Sequence, residues 1–285
     1  MILIAESGST KCDWVLLDGS GNELNRWKTI GFNPYFHTAE EIVSHLSNTK
    51  EVETYRSQVR AVYFYGAGCN TSKLKMIIKN ALDQVFIHSQ NEIGHDLEAA
   101  AFSVYEGAPL IACIIGTGSN SCFFDGEKIS ENTPALAFIL GDEGSASYIG
   151  KRLVTDFLYG KMPQDIACDF KDNYPFTKDE VIDRVYHQCH PNVYLASFGI
   201  FAGKHSKTPY IRNIVKEGFD TFIENHVACY SNANQVKVSF VGSVAQAYQG
   251  IMEECLRIRG FKLGEIVAQP IDSLVTYHIK QLQVS

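Results

Sequence analysis

The sequence lacks a long apolar run, a cluster of basic residues and closely paired cysteines. No stretch approaches the ~18 consecutive apolar residues of a membrane-spanning helix, and residues 1–5 are too short for a signal-peptide core and have no basic flank. The formal net charge is −7, and no run of Lys or Arg could follow a phosphate backbone. The eight cysteines form no Cys-x-x-Cys pair. We therefore expect a cytoplasmic protein with reduced thiols and without a nucleic-acid or membrane partner.

A Walker phosphate-binding loop is also missing, although one segment resembles it. Residues 8–11 (Gly-Ser-Thr-Lys) have the composition of such a loop, but the Walker order is Gly-Lys-Ser/Thr followed by a helix. Here Thr precedes Lys, and residues 14–17 are predicted to form a strand that ends at a turn over residues 18–21. The glycine-serine turn therefore joins two strands. Such a turn is either an ordinary hairpin or an anion site built from backbone amides.

What the sequence does contain is a pattern of strands and helices in both halves. With 285 residues, 45% of them hydrophobic, the chain can form two domains of ordinary size. Hairpin strands followed by strand-helix alternation predict a mixed α/β fold. After the opening hairpin, strands are expected at residues 26–30, 59–65 and 85–88, helices at residues 39–48, 72–82, 178–188 and 209–228, and a loop-rich connection at residues 194–209.

The opening pattern recurs in the second half of the chain. Superposing the turn glycines aligns residues 4–12 with residues 114–122, and each segment is a strand, a turn of small residues and a second strand. Because each copy opens a half of similar design, we assign one domain to residues 1–108 and another to residues 109–285. Two such turns can face each other across a cleft and hold a polyphosphate between them.

Three short motifs carry a resemblance to a known family. Glu-x-Gly-x-Thr occupies residues 6–10, Gly-Thr-Gly-Ser-Asn occupies residues 116–120, and Gly-Asp-Glu-Gly-Ser occupies residues 141–145. Together they resemble the N-acetylglucosamine kinase and BadF/BadG-type ATPase family of the actin–hexokinase–Hsp70 superfamily, over nearly the whole chain. The resemblance implies an α/β fold of two ribonuclease-H-like, actin-like ATPase domains, with mixed sheets around a nucleotide cleft.

The resemblance also implies ATP and Mg²⁺ as cofactors and a small sugar as acceptor. Glu6 matches an acidic residue near the phosphates, and we assign it to Mg²⁺ through water because this hard cation binds carboxylate oxygens and keeps part of its hydration shell. The residues that match the family's phosphate and adenosine turns are Gly8, Ser9, Thr10, Lys11, Thr117, Gly118, Ser119, Asn120, Gly242 and Ser243. Those that match its substrate side are Asn33, Gly66, Ala67, Asp96, Asp142 and Glu143. Each also has a plain alternative as a turn residue, a helix cap or a solvated charge.

Asp96 is the candidate catalytic residue. It opens the alanine-rich segment Asp-Leu-Glu-Ala-Ala-Ala-Phe, where a helix N-terminus favours an ionised carboxylate. A carboxylate held ionised at the cleft can accept the proton of an attacking sugar hydroxyl during phosphoryl transfer. From position alone, capping the helix is the commoner role. The catalytic role is implied by the resemblance, since the matching family aspartate is the general base.

The implied function is an ATP-dependent sugar kinase acting on the 6-hydroxyl of N-acetylglucosamine. One departure concerns the acceptor: the family's N-acetylglucosamine kinases carry a glycine- and tryptophan-containing segment before Gly-Asp-Glu-Gly-Ser, whereas residues 133–140 here are Thr-Pro-Ala-Leu-Ala-Phe-Ile-Leu. Two alternatives stay open. One is an ATPase activator of the BadF type, against which the scattered cysteines argue, and the other is a nucleotide- or sugar-binding protein without turnover. The sequence does not fix the oligomeric state, and a homodimer stays open.

Overall fold

The computed structural model describes residues 1–284 and the side chains of residues 1–281. Its strands are β1 (Ile2–Ser7), β2 (Lys11–Leu17), β3 (Glu23–Ile30), β4 (Ala61–Gly66), β5 (Gln90–His95), β6 (Leu110–Ile115), β7 (Ser119–Phe124), β8 (Ile129–Ser130), β9 (Lys237–Val241) and β10 (Lys262–Val267). Its helices are α1 (Ala39–Ser47), α2 (Lys50–Tyr55), α3 (Ser72–Val85), α4 (Asp96–Ser103), α5 (Ala137–Leu140), α6 (Ala146–Leu158), α7 (Gln164–Asn173), α8 (Lys178–Tyr186), α9 (Pro191–Ser197), α10 (Gly199–Lys204), α11 (Pro209–His226), α12 (Ser243–Ala247), α13 (Gln249–Ile258) and α14 (Ile271–Val284). The predicted mixed α/β fold is confirmed. None of the described helices combines the length and the apolar character needed to cross a bilayer.

The chain forms two compact units, and the first is built on a five-stranded sheet with the order β3-β2-β1-β4-β5. Strand β2 is antiparallel to β1 and β3, whereas β1, β4 and β5 are parallel. Ser7, Gly66 and His95 occupy one row of the register at the ends of the three parallel strands. Because the carboxyl ends of parallel strands meet at one edge of the sheet, the residues that follow them are gathered there.

Helices cover both faces of this sheet, and its central strands are therefore apolar on both sides. On one face, Trp14, Phe32 and Phe64 lie within a cluster that also contains residues of α1 and α3. On the other face, Ile4 and Val15 belong to a cluster completed by α4 and α14. The sheet thus forms the middle layer of the first unit.

The last helix, α14, belongs to the first unit. Its Leu274 is fully buried in the cluster around β1 and β2, and its His278 Nε2 lies 3.0 Å from the hydroxyl of Tyr65 on β4. Burial lowers the pKa of His278 to about 4, so the contact joins two neutral groups at pH 7. The helix is therefore attached to the sheet by apolar packing and by one buried hydrogen bond.

The two units differ in extent from the predicted ranges 1–108 and 109–285. The first unit consists of Met1–Ser103 and the chain from Gln269 onwards, and the second consists of Val104–Ala268. The return of the chain to the first unit could not be predicted. The apolar pattern of a helix shows that one side is buried, but it does not identify the sheet that covers that side.

The second unit repeats the topology of the first. Its sheet has the order β10-β9-β6-β7-β8, with β6, β9 and β10 parallel and β7 antiparallel to β6 and β8. Its core includes Phe219 and Phe222 of α11 and Phe240 of β9. The repeat indicated by the sequence is therefore present at the level of strand order.

The residue match between the repeats is shifted by two positions. Strand β1 ends at Ser7 and β6 ends at Ile115, which are 108 residues apart (115 − 7), whereas superposing Gly8 on Gly118 gives 110 (118 − 8). The turns also differ in length, because the last pairs are Ser7 with Cys12 and Ile115 with Ser119. The shift of two positions keeps the side chains of the first strand of each hairpin on the predicted face. In the second strand the offset is 107 (119 − 12), a shift of three positions, so its side chains lie on the face opposite to the one that matching Cys12 with Cys122 implies.

Two predicted elements are wrong. The strand expected at residues 85–88 is the end of α3 and the turn after it, while the edge strand is β5, whose sequence Gln-Asn-Glu-Ile-Gly-His is too polar for hydrophobic periodicity to detect. The loop-rich connection at residues 194–209 is largely helical, as α9 and α10. A Cβ built at Gly150 of α6 would lie 1.8 Å from the carbonyl oxygen of Leu195 on α9. This close tertiary contact stabilises a short helix that its local sequence does not indicate.

Candidate functional site

Asp96 lies at the carboxyl edge of the first sheet, at the junction of β5 and α4. Its Oδ1 is buried 3.0 Å from His95 Nε2, but it receives no hydrogen bond of normal geometry. Glu98, not Asp96, accepts the hydrogen bond of the backbone N–H of His95, at 3.0 Å, and Glu98 is paired with Lys75 at 3.4 Å. Among the described residues, Asp96 Oδ1 therefore has an ion-pair contact with His95 but no hydrogen bond, and a proton acceptor requires such an oxygen.

Glu6 is the second acidic group at this edge. Glu6 is the second-last residue of β1. In the sheet register it is paired with Tyr65 of β4, which is paired with Gly94 of β5. Burial raises the pKa of Glu6 to about 7, the charges of Asp96 and Asp13 add to this effect, and Lys11 opposes it. A cation at this carboxylate would relieve the repulsion, which is consistent with the predicted magnesium role.

The residues described by the structure contain no group of three His, Cys, Asp or Glu side chains placed to hold a metal ion. Mg²⁺ commonly keeps several waters and takes one or two carboxylates together with substrate phosphates. The donor set around Glu6 therefore fits an ion held through water, and does not fit a metal site made by the protein alone.

Lys11 is paired with Asp13, a residue that the sequence analysis missed. Lys11 Nζ lies 2.8 Å from Asp13 Oδ2, and Lys28 Nζ lies 3.1 Å from Asp13 Oδ1. Burial raises the pKa of Asp13, but the hydrogen bonds from the two lysines outweigh it and the net pKa is lowered. This pairing could have been predicted, since Lys11 and Asp13 are two positions apart on a strand and their side chains therefore lie on one face.

The first hairpin turn is packed against the segment that leads to Asn33. The backbone N–H of Gly31 donates to the Thr10 carbonyl oxygen at 3.2 Å, and a Cβ built at Gly31 would lie 2.2 Å from the Gly8 carbonyl oxygen. Ser7 Oγ accepts the backbone N–H of Phe32 at 2.8 Å. The chain before Asn33 is therefore fixed directly beside the turn.

Asn33 lies against the turn that follows β4. Its Oδ1 accepts a hydrogen bond from the backbone N–H of Tyr35 at 2.9 Å, so the oxygen of the Asn33 amide stabilises a local turn. Gly68 has a φ of +83°, and a Cβ there would lie 2.4 Å from Asn33 Oδ1. The N–H of Ala67 donates to the Ser7 carbonyl oxygen at 2.9 Å. The first unit thus brings together the predicted residues Glu6, Gly8, Ser9, Thr10, Lys11, Asn33, Gly66, Ala67 and Asp96.

In the second unit, the second hairpin turn and residues 141–145 interlock. Asp142 has a φ of 56°, and its Oδ1 accepts the backbone N–H of Ser119 at 3.1 Å. Gly118 has no room for a side chain, since a Cβ there would lie 2.8 Å from Asp142 Oδ1. Burial raises the pKa of Asp142, and the bond from Ser119 opposes this effect. A hydrogen bond therefore links the Gly-Thr-Gly-Ser-Asn motif, which was predicted to bind phosphate, to the Gly-Asp-Glu-Gly-Ser motif, which was predicted to bind sugar.

The first turn of α6 is bonded to the same hairpin. The N–H groups of Ala146 and Ser147 donate to the carbonyl oxygens of Gly116 and Thr117, at 2.9 and 3.2 Å, and Ser145 Oγ accepts the N–H of Tyr148 at 3.2 Å. Because its N-terminal amides are used within the protein, this helix end is not the phosphate site. The prediction of phosphate binding therefore rests on the turn and not on the start of α6.

Gly242 lies at the carboxyl edge of the second sheet. Its N–H donates to the Val267 carbonyl oxygen at 2.8 Å, its φ is +128°, and a Cβ would lie 2.2 Å from the Ile115 carbonyl oxygen. Only glycine accommodates both this φ and this contact. The second unit thus brings together the predicted residues Thr117, Gly118, Ser119, Asn120, Asp142, Glu143, Gly242 and Ser243.

Glu143 points toward the end of α11. Asn225 Nδ2 donates to Glu143 Oε1 at 3.1 Å, and His226 Nε2 lies 3.7 Å from Glu143 Oε2. The sequence analysis missed Asn225 and His226, and no motif marks them. Their contact with residue 143 spans about 80 positions, which a single sequence does not reveal.

We expect Glu6→Gln to change the pH dependence of stability. Because the folded-state pKa of Glu6 is raised from 4.5 to about 7, the folded protein holds a proton that the unfolded chain has released over that interval. The contribution of Glu6 to the free energy of unfolding is therefore fully present below pH 4.5 and declines as the pH rises to about 7. Without Mg²⁺, Glu6→Gln should be more stable than wild type by up to about 3 kcal/mol at about pH 8, and nearly equal to it at the acidic end.

Urea unfolding across this pH range measures the effect. The control is Glu131→Gln, which neutralises an exposed glutamate and should leave the pH dependence unchanged. A stability difference between Glu6→Gln and wild type that stays constant with pH would contradict the prediction.

Comparisons with known proteins include a solved structure that matches nearly the whole chain at high identity. No protein-family model matches this chain, and no curated protein sequence matches it. Among solved structures, a candidate N-acetylglucosamine kinase from Porphyromonas gingivalis is 37% identical, with a TM-score of 0.92 over 98% of this chain and 99% of that chain.

Two more distant structures share the fold. A candidate N-acetylglucosamine kinase from Chromobacterium violaceum is 13% identical, with a TM-score of 0.65 over 97% of this chain and 98% of that chain. A ROK-family glucokinase from Streptomyces griseus, solved with glucose and AMPPNP, is 14% identical, with a TM-score of 0.63 over 100% and 99%.

Proposed function

The chain belongs to the N-acetylglucosamine kinase family of the actin-like ATPase superfamily, and from this premise we propose that it transfers the γ-phosphoryl group of ATP to the 6-hydroxyl of N-acetylglucosamine. The structures described above from Porphyromonas gingivalis and Streptomyces griseus are named as sugar kinases. The observation that carries the proposal is the Asp96 side chain, which follows the parallel strand β5 at the start of α4 and whose buried Oδ1 has no hydrogen-bond partner among the described residues. A phosphotransferase needs such a group to receive the proton of the acceptor hydroxyl.

In the proposed reaction, Asp96 accepts the proton of the 6-hydroxyl while the sugar oxygen forms its bond to the γ-phosphorus. The bond from that phosphorus to the bridging oxygen of the β-phosphate breaks, and ADP leaves with the electron pair. Mg²⁺, held by Glu6 through water, supplies charge neutralisation at the phosphates when bound. The protein contributes orientation and oriented dipoles, which supply most of the catalysis in phosphoryl transfer.

We assign binding of the phosphates and of the sugar to the turns described above. The ATP-binding residues are Gly8, Ser9, Thr10, Lys11, Thr117, Gly118, Ser119, Asn120, Gly242 and Ser243. The substrate-side residues are Asn33, Gly66, Ala67, Asp142 and Glu143. The hydrogen bond from Ser119 to Asp142 supports this assignment, because it couples a phosphate turn to a sugar-side carboxylate.

An acceptor panel tests the proposal. Purified protein with ATP and Mg²⁺ is expected to release ADP only in the presence of an acceptor, and to phosphorylate N-acetylglucosamine more efficiently than N-acetylmannosamine, glucose or an anhydro-sugar. The matched control is 6-deoxy-N-acetylglucosamine, which lacks the attacking hydroxyl and should give no product. Mass spectrometry and ³¹P NMR identify the phosphorylated position.

The same panel distinguishes the alternatives. ADP release at one rate with and without every acceptor would indicate an ATPase, and ATP binding without any turnover would indicate a binding protein. Either result would overturn the kinase proposal.

A further inference from the structure

A ring of hydrogen bonds connects residues 141–145 to the end of α11. Ser119 Oγ donates to the Glu143 carbonyl oxygen at 2.9 Å, and Asn225 Nδ2 donates to Glu143 Oε1 at 3.1 Å. The ring closes where Ser121 Oγ donates to the carbonyl oxygen of His226 at 2.6 Å. Ser119 and Ser121 are two residues apart on β7 and project from the same face. The end of α11 is therefore fixed to the strand that begins at the second hairpin turn.

Asn225 also binds the chain just before residues 134–140. Thr133 Oγ1 donates to the Asn225 carbonyl oxygen at 2.8 Å. The intervening segment has little support of its own, because α5 buries none of its residues and Ile139 and Leu140 are 71 and 74% exposed. Both ends of this segment are therefore attached to the same residue of α11.

Glu143 and His226 form a polar contact that is not fully satisfied. Glu143 Oε2 lies 3.7 Å from His226 Nε2, beyond hydrogen-bonding distance. Both Glu143 Oε2 and His226 Nδ1 are buried, and neither has a hydrogen-bond partner among the described residues. The ring of His226 is stacked on Phe222, with centroids 4.9 Å apart. Unpaired buried polar atoms are costly, and exceptions of this kind are expected where a functional site must be held in place.

We propose that Asn225 is a positioning residue for Asp142. The left-handed backbone of Asp142 is uncommon for aspartate, so the chain on either side must hold it. Glu143, the next residue, connects this part of the chain to the rest of the unit. Its carbonyl oxygen accepts a hydrogen bond from β7 and its carboxylate accepts one from α11. Loosening the connection lets Asp142 leave its position and weakens binding of the acceptor sugar. The inference rests on the proposed sugar-side role of Asp142.

Steady-state kinetics of four variants test the inference. Glu143→Ala and Asn225→Ala each remove one side of the same hydrogen bond, and each is expected to raise KM for the acceptor about tenfold, the size expected for a bond to a charged group. The KM of the double variant should be no higher than that of the more impaired single variant, because the two changes remove one interaction. Glu143→Gln keeps the Oε1 acceptor and should lose less affinity than Glu143→Ala. Asn173→Ala, which removes an exposed amide bonded within α7, is the control.

A second measurement decides the inference even if the kinase proposal fails. Hydrogen exchange of the Ser119 amide, which donates to Asp142 Oδ1, should be faster in Glu143→Ala and Asn225→Ala than in wild type or Asn173→Ala. Unchanged exchange in both variants would overturn the positioning role. An unchanged acceptor KM in an active enzyme, or fully additive effects in the double variant, would also overturn it. Absence of turnover in wild type would count against the proposed function alone.

Discussion

Asp96→Asn is expected to lower kcat by about 10²- to 10⁴-fold, the range typical of a lost general base. Asparagine has nearly the same shape but cannot accept the proton of the acceptor hydroxyl. The affinity for an ATP analogue should stay within about threefold of wild type, because an interaction made only in the transition state is lost. Steady-state assays with the best acceptor, together with calorimetric titration of AMPPNP, measure the two quantities separately.

The matched control is Asp18→Asn, in the exposed turn after β2, where Asp18 accepts the backbone N–H groups of Ser20 and Asn22. Asparagine can make the same hydrogen bonds, so this variant should keep its activity. Asp96→Asn should also lower the pKa of Glu6, since the charge of Asp96 contributes to raising it. Undiminished turnover in a well-folded Asp96→Asn variant would refute the catalytic role.

Gly242→Ala is expected to cause a large loss of stability. The added Cβ would lie 2.2 Å from the Ile115 carbonyl oxygen, and the φ of +128° is strained for any residue with a side chain. We expect a cost of about 3 kcal/mol or more, and a Tm lower by about 6 to 10 °C for a chain of this size. Nucleotide affinity should fall as well, because the contact displaces the strand end that carries the second hairpin turn.

Gly250→Ala is the control for this prediction. Gly250 is exposed near the start of α13, has an ordinary φ and has nothing within 4 Å of a built Cβ. Alanine is the better helix former, so this variant should be as stable as wild type or slightly more so. Calorimetry measures both Tm values. Equal values for Gly242→Ala and Gly250→Ala would contradict the prediction, because they would mean that the strand end shifts to make room for the added Cβ.

The sequence was most informative where function depends on local pattern. The hairpin turns, the start of α4 at Asp96 and the mixed α/β class all follow from short-range signals, namely glycine placement, helix capping and hydrophobic periodicity. The family could be recognised because its motifs are short and contiguous. The structural match over the whole chain confirms both the family and the fold.

Features that depend on contacts distant in sequence were not predicted. The polar strand β5, which positions Asp96, is defined by pairing with β4 and not by its composition. Asn225 and His226 became visible only with their contacts to Glu143. Roles for the individual site residues stay predictions until the variants above are measured.

The discontinuous first unit has a consequence for synthesis on the ribosome. Between Ser103 and Gln269 the ribosome must add 165 residues (268 − 103), which takes roughly 10 to 30 s at ordinary elongation rates. During this interval Ile4 and Val15 lack α14, so one face of the nascent sheet is covered only by α4. The chain is therefore exposed to chaperones and to aggregation until its last helix emerges, and residues near the C-terminus determine whether the N-terminal sheet matures.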